Sequence, residues 1–251
     1  MIIRLTTCAL LALLLTACGV KGNLQPKGRP TPLAPTALTL LQQGDEILLA
    51  WDIPTENQDG SQLSDLAGFR IGYYAFAADR FCAECRDQET IATINISTPE
   101  QALIDAGKIF YRDSALTTDT GHRYRVYPFT SAGKSGPAAE ALRIMLPPPV
   151  APDRVRIEAL DQGARIFWSL PDEVQDTGDL IGINIYRGEN NTSLAQVPIN
   201  REPIKGNNFE SFGLVNGSLY RFGLRTVVQK GDQIIESTLS TIVTATPQAG
   251  L

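Results

Sequence analysis

Three consecutive prolines, Pro147-Pro148-Pro149, followed by Val150-Ala151-Pro152, stand near the middle of this 251-residue chain, and the same succession of strand signals occurs on either side of them. Proline has no N–H to give to a strand ladder, so a run of three closes any sheet that reaches it. Before the run, Pro35-Thr36-Ala37-Leu38-Thr39-Leu40 leads to Ile47-Leu48-Leu49-Ala50-Trp51-Asp52-Ile53-Pro54. After it, Ala151-Pro152-Asp153-Arg154-Val155-Arg156-Ile157 leads to Ala164-Arg165-Ile166-Phe167-Trp168-Ser169-Leu170-Pro171. Each copy is a proline, a short alternating strand, a turn and a second strand ending in Trp-x-x-Pro. Gly68-Phe69-Arg70-Ile71-Gly72-Tyr73-Tyr74 and Gly182-Ile183-Asn184-Ile185-Tyr186-Arg187 then alternate with period two, and Tyr124-Arg125-Val126-Tyr127 and Tyr220-Arg221-Phe222-Gly223-Leu224 come late in each half. Repetition of this kind means one structural unit used twice. Short, evenly spaced strands with turn residues between them and almost no helical period predict an all-β chain of two tandem β-sandwiches.

Successive residues of a strand point to opposite faces, which sorts the apolar positions into two cores. The first is expected from Ile47, Leu49, Trp51, Phe69, Ile71, Tyr73, Tyr124 and Val126, the second from Ile166, Trp168, Ile183, Ile185, Tyr220, Phe222 and Leu224. With each core resting on its own tryptophan, the two units are expected to unfold separately.

In the order of these residues both halves resemble the fibronectin type III family, whose fold is an immunoglobulin-like sandwich. The tryptophan on the second strand, the tyrosine opening the sixth, and Ser131-Ala132-Gly133-Lys134-Ser135-Gly136-Pro137 before the seventh carry the likeness. In the second half Gln229-Lys230-Gly231-Asp232-Gln233 lacks that last pattern and reads as a hairpin turn. The resemblance implies sandwiches over 36–147 and 148–247, each with its third and sixth strands adjacent. On the solvent faces of those strands it sets Arg70, Tyr74 and Phe76 beside Arg123, Arg125 and Tyr127, and in the second unit Tyr186 beside Arg221 and Arg225. Arginine and aromatic residues are enriched where proteins grip their partners, so this face is the candidate partner surface. The competing reading is cross-strand stacking of arginine on tyrosine that serves the sheet alone.

The N-terminus carries an address. Arg4, an apolar stretch from Cys8 to Leu15 and small residues at Thr16-Ala17 form a secretory signal, and Cys18 follows directly. A membrane span is the alternative, but the apolar run is short for the roughly 20 residues that a span needs and ends abruptly at Gly19. Leu15-Thr16-Ala17-Cys18 resembles the lipobox of bacterial lipoproteins, which implies removal of residues 1–17 and lipidation of Cys18. Gly19 in place of an aspartate implies the outer membrane, facing the periplasm. Cys18-Gly19-Val20-Lys21-Gly22-Asn23-Leu24 is also similar to the mature start of small lipoproteins associated with lipopolysaccharide assembly, with Asn23 where those have proline. Residues 18–35, holding Lys21, Lys27 and Arg29 among four prolines, read as an extended basic tether reaching on the order of 50 Å.

Loss of residues 1–17 removes one charged side chain, Arg4, leaving 21 Lys and Arg against 27 Asp and Glu. A net negative chain is a poor match for nucleic acid. With Cys8 removed and Cys18 lipidated, Cys82 and Cys85 are the thiols left to pair in an oxidising compartment, and a disulfide closing that short loop is the expectation, with redox or metal use as alternatives. Arg86 rather than histidine follows Cys85, which excludes a c-type haem attachment. His122, the chain's one histidine, sits beside Gly121 and reads as a solvated turn residue. No nucleophile motif or carboxylate pair accompanies it, so no enzymatic activity, metal or cofactor is expected. The sequence thus points to a binding or scaffolding protein of the cell envelope, held to the membrane by its lipid, with an envelope protein as partner. A glycan stacking on Tyr74, Phe76 and Tyr127 is the alternative ligand, and redox chemistry at Cys82 and Cys85 the alternative activity.

Overall fold

The computed structural model describes residues 30–80, 88–172, 178–190 and 192–250, and those from 31 onward form one compact unit. The signal segment 1–17, Cys18 and most of the tether, and the pair Cys82 and Cys85, lie outside the described residues. Among the described residues no helix is long and apolar enough to cross a membrane.

The chain is all-β. Its first half forms β1 (Thr36–Gln43), β2 (Glu46–Asp52), β3 (Leu66–Ala77), β4 (Glu89–Asn95), β5 (Ala102–Asp105), β6 (Lys108–Asp113), β7 (Thr120–Thr130) and β8 (Ala139–Ile144). The second half forms β9 (Asp153–Leu160), β10 (Gly163–Ser169), β11 (Asp179–Glu189), β12 (Asn208–Phe212), β13 (Tyr220–Lys230), β14 (Gln233–Glu236) and β15 (Val243–Ala245). In the first sandwich a sheet ordered β1-β2-β6-β5 faces one ordered β4-β3-β7-β8. In the second, β9-β10-β12 faces β11-β13, with β14 and β15 pairing successive halves of β13. This is the two-sheet, Greek-key order of immunoglobulin-like and fibronectin type III-like sandwiches. Tyr220, opening β13, adds the corner tie of such folds: its hydroxyl accepts the Val215 N–H at 3.0 Å. The first sandwich has one strand more than the seven of the resemblance, because 102–105 turns back on β6 as a short edge strand.

Both cores contain the residues that alternation selects. Ile47, Leu49, Trp51, Phe69, Ile71, Tyr124 and Val126 are buried in one cluster with Tyr73 packed against it. Ile166, Trp168, Ile183, Ile185, Tyr220, Phe222 and Leu224 lie in the other. The third and sixth strands of the repeat, β3 and β7, pair antiparallel, with Tyr73 opposite Tyr124 and Arg70 opposite Tyr127.

His122 departs from its reading as a turn residue. β7 begins at Thr120, so His122 shares the inward face of Tyr124 and Val126 and is only 2% exposed. Its Nδ1 lies 2.9 Å from the Tyr73 hydroxyl. Burial pushes the imidazole pKa below its ordinary 6.5, opposed only in part by a hydrogen bond with the Thr117 backbone and, after it, by the Asp113 carboxylate. The sign follows directly. On acidification the unfolded chain takes a proton at its ordinary pKa while the folded chain resists, so stability is full above that value and falls as pH drops below it. The melting temperature should therefore decline between about pH 7 and 5.5, and His122→Gln should flatten that slope whatever its effect on absolute stability. Equal slopes in the two proteins would assign the decline to carboxylates.

The two sandwiches do not simply follow one another. The last residues of β1 pair in parallel with β14, Gln42 with Ile235 and Gln43 with Glu236, and fuse a sheet from each sandwich into one of eight strands. The segment joining β8 to the proline run is also tied down. Gln42 closes a reciprocal pair with Leu146, donating Nε2 to its carbonyl at 2.6 Å and accepting its N–H at 3.1 Å. Arg143 donates to the Leu40 carbonyl at 3.0 Å and to that of Ile234. Beneath them Val228 and Ile235 are fully buried against Leu146 and Leu170, a small third core belonging to the junction. At the other end of the first sandwich residues 31–33 are already seated, since Gln58 N–H donates to Thr31 and Leu33 N–H to Glu56.

Candidate functional site

The nine surface candidates divide in two. On the first sandwich Arg70 is exposed and Tyr74, Arg125 and Tyr127 are partly so, all on the outward face of β3 and β7. Their contacts are largely to one another and to neighbouring strands: Arg70 lies 5.6 Å over the Phe129 ring and bonds Ser135, Arg125 pairs with Glu140, and Gln88 Nε2 donates to the Tyr127 hydroxyl at 3.1 Å. Phe76 and Arg123 share that face by register but are buried on it. Arg123, at 1% exposure, lies 5.1 Å over Tyr74, whose ring is stacked on Phe76. Phe76 is buried because Gly121 stands opposite it; a Cβ there would come within 2.2 Å of the ring. Tyr74 thus has Arg123 over one face and Phe76 stacked beside it, which leaves little of the open platform that a sugar ring requires.

On the second sandwich Tyr186 and Arg225 are likewise buried, and for a different reason. They point into the junction, where the first sandwich covers them. Glu236, 1% exposed, sits at the centre. Its carboxylate accepts the Tyr186 hydroxyl at 2.8 and 2.7 Å to its two oxygens, Gln43 Nε2 at 2.7 Å, and the Asn184 amide. Arg225 Nε lies 4.0 Å from it, while Arg225 Nη1 donates to the Ser237 carbonyl at 2.6 Å. Burial, then the neighbouring carboxylate, push the Tyr186 phenol far above its ordinary pKa, so it is a fixed donor. Arg112 extends the network outward from β6, with Nη1 2.8 Å from both Gln43 Oε1 and Glu46 Oε2 and Nη2 2.9 Å from Gln196 Oε1. Gln196 belongs to the second sandwich, so Arg112 also bridges the two.

Above this network opens a cleft of about 370 Å3, lined by Glu46 and Arg112 from one sandwich and Tyr186, Arg221, Arg225 and Ile242 from the other, among others. Arg221 is partly exposed at its rim and donates to the Thr192 carbonyl at 3.2 Å. Sequence reasoning found Tyr186, Arg221 and Arg225 but placed them on an open face, and it missed Gln43, Glu46, Arg112 and Glu236. Among the described residues no three His, Cys, Asp or Glu side chains gather as a metal site.

No family model and no curated protein matches the chain. Among solved structures it is similar to the chicken CNTN1 FN1-FN3 domains, at 13% identity over 87% of this chain and 68% of that one, with a TM-score of 0.34. It is also similar to a structure described as that of a myokine, at 18% identity over 40% of this chain and 98% of that one, with a TM-score of 0.33.

Proposed function

We propose that this protein is a lipid-anchored binding and scaffolding protein of the bacterial cell envelope, presenting its two sandwiches to the periplasm without catalysing a reaction. One observation carries the scaffolding role: a single eight-stranded sheet runs through both sandwiches and a buried polar network fastens it, so the pair is built to hold one mutual orientation. A pair of domains meant only to trail from a tether has no need of such a junction. The anchor rests on Leu15-Thr16-Ala17-Cys18 and on the basic, proline-rich segment behind it. Two or three acyl chains, each CH2 contributing about 0.8 kcal/mol, would hold the protein at its membrane.

Cys18→Ala tests this in cells. It should leave both sandwiches folded and shift the protein from the membrane fraction to the soluble fraction after a carbonate wash. Retention of the variant in the membrane would rule out the lipid as anchor.

A further inference from the structure

We infer that the junction cleft is a recognition site for an extended, acidic segment of a partner protein. Three guanidinium groups, those of Arg112, Arg221 and Arg225, line one cleft in a chain whose net charge is −5. Of the carboxylates beside them, Glu46 is bonded to Arg112 and Glu236 is saturated behind Tyr186 and Gln43, leaving the cleft one positive charge in surplus. Each guanidinium carries five N–H donors in a planar fork suited to a carboxylate. Among the described residues Arg221 uses one of them, on the Thr192 carbonyl, and Arg225 hydrogen-bonds only the Ser237 carbonyl. Arg225 itself is 8% exposed, held in place by the junction rather than by a ligand.

The shape extends the chemistry. Sharing Arg112, Ser193 and Gln196 with the cleft, a second groove of about 250 Å3 runs along the outer face of β2, β6 and β5 over Leu48, Phe110 and Leu103, with Glu100 also in its lining, so the acidic residue of a ligand belongs among the arginines and not in this groove. An extended segment alternates its side chains, so one that sets an acidic residue among the arginines can lay apolar residues on that floor. The chain's own N-terminal segment is the wrong sign for this, since residues 18–44 hold Lys21, Lys27 and Arg29 and no acidic residue. This inference rests on the protein being a binding module and not on its lipid anchor.

The test uses the full chain in detergent micelles and a fluorescein-labelled decapeptide of alternating glutamate and leucine, read by anisotropy. Saturable binding is expected, weakening with ionic strength, and weaker by about tenfold or more when glutamine replaces glutamate. Arg221→Gln removes one backbone hydrogen bond and should cost a similar factor with the melting temperature unchanged. Should that variant fold poorly, Arg221→Lys keeps the charge without the fork and should still bind measurably less well. Equal binding of the two peptides, or full binding by both Arg221 variants, overturns the inference. So does preferential binding of an oligogalacturonate, which would make the site one for acidic glycan, or a dimer that the peptide disperses, which would give the cleft to a second copy. Absence of peptide binding by the wild-type chain overturns this site, while the anchored scaffold stands or falls on the Cys18→Ala fractionation.

Discussion

Trp51→Ala is expected to lower stability by about 3–5 kcal/mol and to loosen the second sandwich along with the first. The indole is 0% exposed and meets the Phe69 ring edge-on at a centroid separation of 5.6 Å. Burial of such a side chain removes 150–250 Å2 from water, several kcal/mol at about 25 cal/mol per Å2, and alanine would leave a cavity in its place. For a unit of this size that is a fall on the order of 10 °C in melting temperature. The path of the damage is what the fold adds. β1 packs Leu38 and Leu40 on the Trp51 core and delivers Gln43 to Glu236, so a sandwich that opens around Trp51 withdraws β1 from β14. Amide exchange should therefore accelerate in β14 and in Val227–Lys230 of β13 as well as in β2, β3 and β7. A protein in which β14 keeps its wild-type protection while the first sandwich exchanges freely would show that the halves open independently, as the sequence alone leads one to expect.

That difference marks where the sequence stops being informative. Each core was legible because a half-buried strand alternates, and alternation is a local property: Trp51, Phe69 and Tyr124 are chosen by their neighbours one and two places away. The same rule also reaches His122, two places before Tyr124, and only the glycine beside it suggests a turn. Gln42 and Gln43 break the rule. Both are buried, because the end of β1 lies between two sandwiches and has no solvent face. No local pattern announces this, since the residues that enclose them, Leu146 and Glu236, are 104 and 193 positions away. Arg123 and Phe76 fail differently. Their parity is outward as expected, yet Gly121 opposite Phe76 gives that ring room to lie flat, and the stack with Tyr74 and Arg123 closes over it. The candidate face was therefore right in strand pairing and wrong in exposure at Phe76, Arg123, Tyr186 and Arg225, and the cleft could be recognised only when Arg112 of one repeat was seen beside Arg221 and Arg225 of the other.

Removing the carboxylate at the junction should be as damaging as removing the tryptophan, for an electrostatic reason. Glu236→Ala leaves Arg225 without the carboxylate it pairs with, Glu46 being engaged by Arg112, and strands the Tyr186 hydroxyl and the Gln43 and Asn184 amides, all of which point at the space the carboxylate held. Breaking a buried charge pair from one side costs about 3–5 kcal/mol, because the remaining charge stays desolvated. Glu236→Gln separates charge from shape. Its amide oxygen can still accept from Tyr186 or Asn184, but its NH2 group meets the donating amide of Gln43 and the guanidinium of Arg225. A loss of about 1–3 kcal/mol is expected, that of unsatisfied donors without a cavity. The doubly altered protein Gln43→Glu/Glu236→Gln exchanges the two side chains across the parallel pair. It should recover part of that loss, since a carboxylate at 43 can accept from the amide at 236 and from the Tyr186 hydroxyl, and its existing bond from Arg112 becomes an ion pair. Additive losses in the double variant would mean that Gln43 and Glu236 stabilise their own sandwiches and not the contact between them, and the fixed orientation proposed for the scaffold would lose its basis.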